Sequence, residues 1–162
     1  MKTLSLVRHA KSSWKLDLPD ALRPLNKRGL KDAAKMSSYL KALHFKPDFL
    51  IASNAERAKH TAKIFIDTLN LAPDICKFTH ELYDFSGSYV MLHIKECPNH
   101  VNHLVVFGHN HAITHIANTL GDKYIDNVPT CGVVTINFDV LQWQAIKKGI
   151  TTQFLFPKGL NN

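Results

Sequence analysis

The stretch Thr3-Leu4-Ser5-Leu6-Val7-Arg8-His9-Ala10-Lys11-Ser12-Ser13-Trp14 decides the fold, because a short β-rich run (TLSLV) passes without a break into a small polar loop. Two further apolar runs of strand length, Asp48 to Ala52 (DFLIA) and His103 to Gly108 (HLVVFG), repeat that pattern, and each reads as a buried strand. Helical periodicity lies between and after them. Leu30, Ala33, Ala34, Leu40 and Leu43 recur near a 3.6-residue period, as do Ala58, Ala62, Phe65, Ile66 and Leu69. Asn26 is placed to cap the first helix, whose start Gly29 weakens. A third helix is expected over Tyr89 to Glu96 and a fourth from Ala112 to Leu120, before Gly121. Strand and helix alternate, which predicts an α/β fold with a mostly parallel central sheet and helices on both faces. Val133 to Phe138, Trp143 to Ile146 and Thr152 to Phe156 read as β-like segments at the sheet edge.

In such sheets ligands bind beyond the carboxyl ends of the strands. His9 follows the first strand and His109 follows the third, so both histidines belong at that end. Arg8 precedes His9, and Arg57 lies in SNAERAKHT (53–61) after the second strand. Two arginines and two histidines at strand ends suit a phosphoryl group, whose oxygens accept bidentate guanidinium contacts. Taken singly, each has a plainer reading: His9 as a structural histidine, Arg57 as a solvated arginine at a helix start, His109 as a capping residue. Their joint placement favours the phosphate site.

The chain is 162 residues long, 45% hydrophobic and 20% charged, which fits one globular domain over 1–162 with a core of its own. No apolar run approaches a membrane span of roughly 20 residues, and Met1 leads directly into the first strand, so a soluble, cytoplasmic protein with no membrane partner is expected. Three widely spaced cysteines suggest neither a disulfide framework nor a zinc ribbon. The formal charge of +7 favours anionic partners. Its Lys and Arg residues form no long run and do not interleave with aromatics, so nucleic acid is not the expected partner. His109, His111 and His115 have an H-x-H-x3-H spacing, but no carboxylate or cysteine accompanies them. No metal and no cofactor are therefore expected.

With these motifs in place, the chain resembles the histidine phosphatase (phosphoglycerate mutase-like) superfamily, and within it the SixA-type phosphohistidine phosphatases. The resemblance runs from LVRHAKSSW (6–14) through LRPLNKRG (22–29), SNAERAKHT (53–61) and VVFGHN (105–110) to VPTCGVVTINF (128–138). It implies a three-layer α/β/α sandwich of the phosphoglycerate mutase-like kind. It also implies that His9 is the phosphorylated nucleophile, that Arg8 and Arg57 bind the phosphate, and that His109 is the second pocket histidine. Arg8, Arg57 and, if protonated, His109 would then stabilise the transferring oxygens without a metal.

The chain departs from the mutase-type pattern RHGESxWN at Ala10, Lys11 and Lys15, which removes an asparagine contact that Lys11 or Lys15 would replace. Asn54 stands where relatives often have proline. Glu81 occupies the region where many members place a general acid, and as an acid it would extend activity to alcohol leaving groups. Ser12, Arg23 and Asn110 are further candidate substrate contacts, with Ser13 and Thr130 divided between pocket and plain loop roles. The expected substrate is a phosphohistidine borne by a protein. The alternatives are small phosphate esters such as sugar phosphates or nucleotides, and a binding module that holds phosphorylated ligands without turnover.

Overall fold

Near-continuous apolar strands need cover on both faces, and the computed structural model, which describes residues 1–160, supplies it with two pairs of helices. The elements are β1 (Lys2–Arg8), α1 (Lys27–Ala42), β2 (Phe49–Ser53), α2 (Glu56–Leu69), β3 (Cys76–Thr79), α3 (Ser88–Lys95), β4 (His103–Gly108), α4 (Ala112–Leu120), β5 (Val133–Phe138) and β6 (Ile150–Leu155). They build a six-stranded sheet in the order β3-β2-β4-β1-β5-β6. The pairs β2–β3, β2–β4 and β1–β4 are parallel, while β5 runs antiparallel to both of its neighbours. The mostly parallel three-layer sandwich expected from the sequence is what forms.

Strand alternation divides the core into two layers. Leu4, Leu6, Leu104, Val106, Val134 and Ile136 face α3 and α4, where they meet Val90, Ile94, Ile113 and Ile116. Val7, Leu50, Val105, Phe107 and Val133 face α1 and α2, against Met36, Leu40, Ala62 and Phe65. The helices that follow the adjacent parallel strands β1 and β4 therefore go to opposite faces, and the chain opens a crevice between those strand ends. Arg8 is in register with Gly108 there, so His9 and His109 emerge side by side.

The predicted helices and strands are present within a few residues of their expected bounds, with two differences. Trp143 to Ile146 is not a β segment: Trp143–Ala145 is a 3-10 helix. Trp143 is fully buried, its indole N–H donates to the Val101 carbonyl at 2.8 Å, and its main-chain N–H donates to Asn99 Oδ1. That tertiary anchor overrides the β preference of the residues. The second difference is β3, an edge strand too short and too little apolar to stand out in the sequence. Among the described residues, no helix is long and apolar enough to cross a membrane.

Asn26 caps α1 as expected, its Oδ1 accepting the Gly29 N–H at 2.8 Å. Gly29 has a further reason to be glycine. A Cβ at this position would collide with the main-chain carbonyl of Lys11, which also accepts the Asn26 N–H at 3.0 Å. The loop after β1 thus lies directly on the start of α1. Gly29→Ala is expected to destabilise the fold by about 2 kcal/mol, the usual scale of overpacking against backbone. A urea-unfolding midpoint equal to or above wild type would contradict this.

Candidate active site

Main-chain bonds pin the first histidine before any side chain is considered. His9 N–H donates to the Gly108 carbonyl at 3.1 Å, and the Cys131 N–H lies 3.0 Å from both the Arg8 and His9 carbonyls. Cys131 adopts a positive φ of 60° in the turn that precedes β5, and Thr130 in the same turn reaches the cleft. On the α2 side, Thr61 Oγ1 accepts the Ala10 N–H at 3.0 Å and donates to the Arg57 carbonyl at 2.7 Å. One threonine therefore ties the β1 loop to the helix that carries Arg57. Its place four residues after Arg57 in SNAERAKHT was the only trace of this in the sequence.

The cleft has a volume of about 420 Å³ and is lined by Arg8, His9, Arg57, His109, Asp20 and Arg23, with Lys11, Ser12, Trp14, Phe85, Asn110 and Thr130 around them. His9 is 8% exposed, and its Nδ1 lies 2.7 Å from its own neighbour's carbonyl, Ala10 O. A carbonyl can only accept, so Nδ1 carries the proton and Nε2 keeps its lone pair. Arg57 Nε–H points at that nitrogen from 3.3 Å. The His109 ring stands beside His9 at a centroid separation of 5.2 Å, enclosed by Tyr83 and Phe85. His109 Nε2 is 2.8 Å from Ser53 Oγ, a hydroxyl that already accepts the Ala55 N–H. When Ser53 donates its proton to Nε2, the buried Nδ1, which has no partner among the described residues, bears a hydrogen ready for an anionic oxygen. Arg8 holds the Val128 carbonyl through one terminal nitrogen at 3.0 Å and keeps a buried Nε without a partner among the described residues.

Burial dominates the electrostatics. It pushes His9 down to about 3, helped by the charges of Arg57, Arg8 and Arg23 and opposed by the Ala10 hydrogen bond. His109 falls to about 3 for the same leading reason, with His9, Arg57 and Arg8 adding to it. Both rings are thus neutral near pH 7. The condition that His109 be protonated is therefore not met: burial and the neighbouring arginines disfavour a further positive charge, and the ring serves as a neutral hydrogen-bond donor. Burial likewise lowers His103, to about 4.

These shifts set a pH dependence of stability. The unfolded chain binds a proton at each histidine near the ordinary value of 6.5, whereas the folded chain does so only near 3 to 4. Between those limits the unfolded state holds more protons, so stability falls as pH falls from about 6.5 towards 4. The expected slope is on the order of 1 kcal/mol per pH unit for each histidine. Urea denaturation at pH 7, 6 and 5 measures it, and a flat midpoint would contradict the burial of these rings.

Asp20 was not singled out in the sequence, and it proves central. Its carboxylate accepts from Arg57 at 2.9 Å, from Arg23 at 3.1 Å and from the Tyr83 hydroxyl. Partial burial opposes ionisation here, but the hydrogen bonds from Tyr83, Arg57 and Arg23 outweigh it and hold the carboxyl far below the usual range. Arg23 also donates to Ser12 Oγ at 2.7 Å and stacks over Trp14 at 3.6 Å, so it lines the cleft as expected.

Other candidates stand differently. Asn110 lines the cleft, but its side chain is committed: it donates to Asn127 and Val128 and accepts from both the amide and the hydroxyl of Thr114. Glu81 is not brought to the cleft; its side chain is 51% exposed and pairs with His93 at 3.0 Å. Lys11 lines the cleft, whereas Lys15 lies in an adjoining groove and Ser13 caps its own loop. His111 and His115 are exposed while His109 is buried, so the three do not converge. Among the described residues no cluster of three His, Cys, Asp or Glu side chains could hold a metal ion.

Comparison with known proteins places this geometry in context. The family model described as the histidine phosphatase superfamily (branch 1) matches residues 4–86. An uncharacterized chloroplastic protein of Arabidopsis thaliana is 44% identical over 63 residues, a match spanning 38% of this chain and 29% of that protein. An uncharacterized protein of Mycobacterium tuberculosis is 28% identical over 141 residues, 80% of this chain and 85% of that one. Among solved structures, the protein histidine phosphatase SixA complexed with tungstate shares the fold with a TM-score of 0.79 at 19% identity, covering 98% of this chain and 99% of that one. The mycobacterial glucosyl-3-phosphoglycerate phosphatase shares it at 0.68 and 12% identity, covering 93% and 97%.

Proposed function

The chain belongs to the histidine phosphatase superfamily, and we propose that it hydrolyses phosphohistidine in a protein through a phosphorylated His9. The observation that carries the substrate reading is the state of the acids. Among the residues lining the cleft the one acidic side chain is Asp20, which three donors keep ionised, and Glu81 is turned aside onto His93. An alkoxide leaving group needs a proton from a positioned acid. A phosphohistidine whose other ring nitrogen is protonated needs none, because its imidazole departs neutral.

The two displacements follow from the geometry. Nε2 of His9, kept unprotonated by the Ala10 carbonyl, attacks phosphorus; the substrate P–N bond breaks and its electron pair returns to the leaving imidazole. Arg8, Arg57 and the free Nδ1–H of His109 meet the charge on the transferring oxygens. Water then attacks phospho-His9, releasing inorganic phosphate and restoring the imidazole. Trp14 and Phe85, 74% and 46% exposed at the rim, leave the cleft open enough for a substrate carried on a protein surface. The solved SixA with tungstate, a phosphate-like oxyanion, has the same fold and supports this reading.

The test is phosphate release in EDTA from a phosphohistidine peptide, a phosphoserine peptide and a sugar phosphate. Release from phosphohistidine at least about a hundredfold faster is expected, as a site without a working acid gives up a general-acid contribution of that size on esters. Preference for either ester would move the protein to the small-ester phosphatases. Turnover of none of the three would make it a binding module.

A further inference from the structure

Asp20 stands on the wall of the cleft and engages both arginines that flank it. Arg57 donates from one terminal nitrogen to the carboxylate at 2.9 Å and from the other to the Asp20 main-chain carbonyl at 2.7 Å. Arg23 Nε donates to the second carboxylate oxygen at 3.1 Å, and Tyr83 adds its hydroxyl. The side chain of Asp20 is 43% exposed, whereas those of Arg57 and Arg23 are 3% and 7% exposed. A half-exposed anion thus covers two buried cations.

Two consequences follow. With both terminal nitrogens of Arg57 held by one residue, the guanidinium cannot swing, and its Nε–H stays aimed at His9 Nε2. The same carboxylate also occupies donors that an incoming phosphoryl group would use. A phosphoryl group must share the guanidinium hydrogens with Asp20 and sit beside a like charge, which weakens every anion the cleft takes. A cleft with Arg8, Arg23, Arg57 and Lys11 but no such carboxylate would hold free phosphate, the end product, far longer.

We propose that Asp20 is a positioning residue that holds Arg57 and Arg23 in register for the phosphoryl group and lowers the affinity of the cleft for free phosphate, so that product leaves. This rests on the reading of the cleft as a phosphoryl site. A merely structural Asp20 predicts the opposite sign, because a disordered Arg57 would weaken anion binding.

The experiment measures inorganic phosphate binding by calorimetry, at fixed ionic strength and near neutral pH, for wild type, Asp20→Asn and Asp20→Ala. The asparagine keeps the shape and an acceptor oxygen while removing the charge, so it decides the outcome. About tenfold tighter phosphate binding by Asp20→Asn is expected, with a lower KM and a lower kcat on the phosphorylated substrate; Asp20→Ala should share the fall in kcat. Phosphate binding that is unchanged or weaker in Asp20→Asn, when wild type binds phosphate, overturns the role of Asp20 and leaves the cleft reading intact. A wild type that neither binds phosphate nor becomes labelled at His9 overturns both.

Discussion

Replacing His9 by alanine is expected to remove turnover while leaving the protein folded. The ring contributes one buried hydrogen bond to Ala10 and one from Arg57, whereas the proposed reaction passes through its Nε2. Loss of a nucleophile that forms the covalent intermediate costs a factor on the order of 10⁴ or more in kcat, since the residual site offers only binding and electrostatic stabilisation. The variant should retain phosphate binding, because Arg8, Arg57 and His109 remain. Rapid quenching of wild type with labelled substrate should trap an acid-labile, alkali-stable phosphate on the chain, and peptide mapping should place it on His9. Turnover by His9→Ala within tenfold of wild type, or label on another residue, would refute the mechanism.

Arg57→Lys is the second large effect. Lysine keeps one positive charge but presents a single ammonium in place of three nitrogens that reach His9 Nε2, the Asp20 carbonyl and the Asp20 carboxylate. The expected loss in kcat/KM is about 10³, the range seen when an arginine that neutralises a transferring phosphoryl group is removed. Stability should change little by comparison, within about 1 kcal/mol, because the partner Asp20 is half exposed and water can solvate it. Kinetics and unfolding measured on the same preparation separate the two. A parallel collapse of folding and activity would make Arg57 a structural residue, and near-normal activity would remove it from the phosphate site.

The fold was legible because the apolar strands and the 3.6-residue helical patterns are local signals, and β1, β4, β5 and α4 stand where those patterns lie. The four central side chains were legible for a related reason. Arg8 ends β1, His9 and His109 follow directly on β1 and β4, and Arg57 lies in the first turn of the helix after β2; the topology brings these strand ends together, so their order in the chain carries their position in space. Where a long-range contact dictated local structure, the sequence misled. Trp143 entered a 3-10 helix because its indole is anchored on Val101, and Gly29 is required by the Lys11 carbonyl rather than merely tolerated at a helix start.

Ionisation belongs to the folded molecule. Nothing in the pattern RHAKSSW tells that His9 and His109 are neutral, because the depression of both comes first from burial and then from charges supplied by other segments. Glu81 and Asp20 show the same division. Glu81 had the right place in the chain for an acid but its side chain faces His93, and Asp20, at the start of the short 3-10 helix Asp20–Leu22, faces Arg23 and Arg57. By itself the sequence determined the layered α/β architecture and which histidines and arginines gather at the carboxyl ends of the strands, since periodicity and strand order are properties of the chain. Only the tertiary structure decided which carboxylate enters the cleft and which protons the site holds, since side-chain direction and desolvation arise from packing between distant segments.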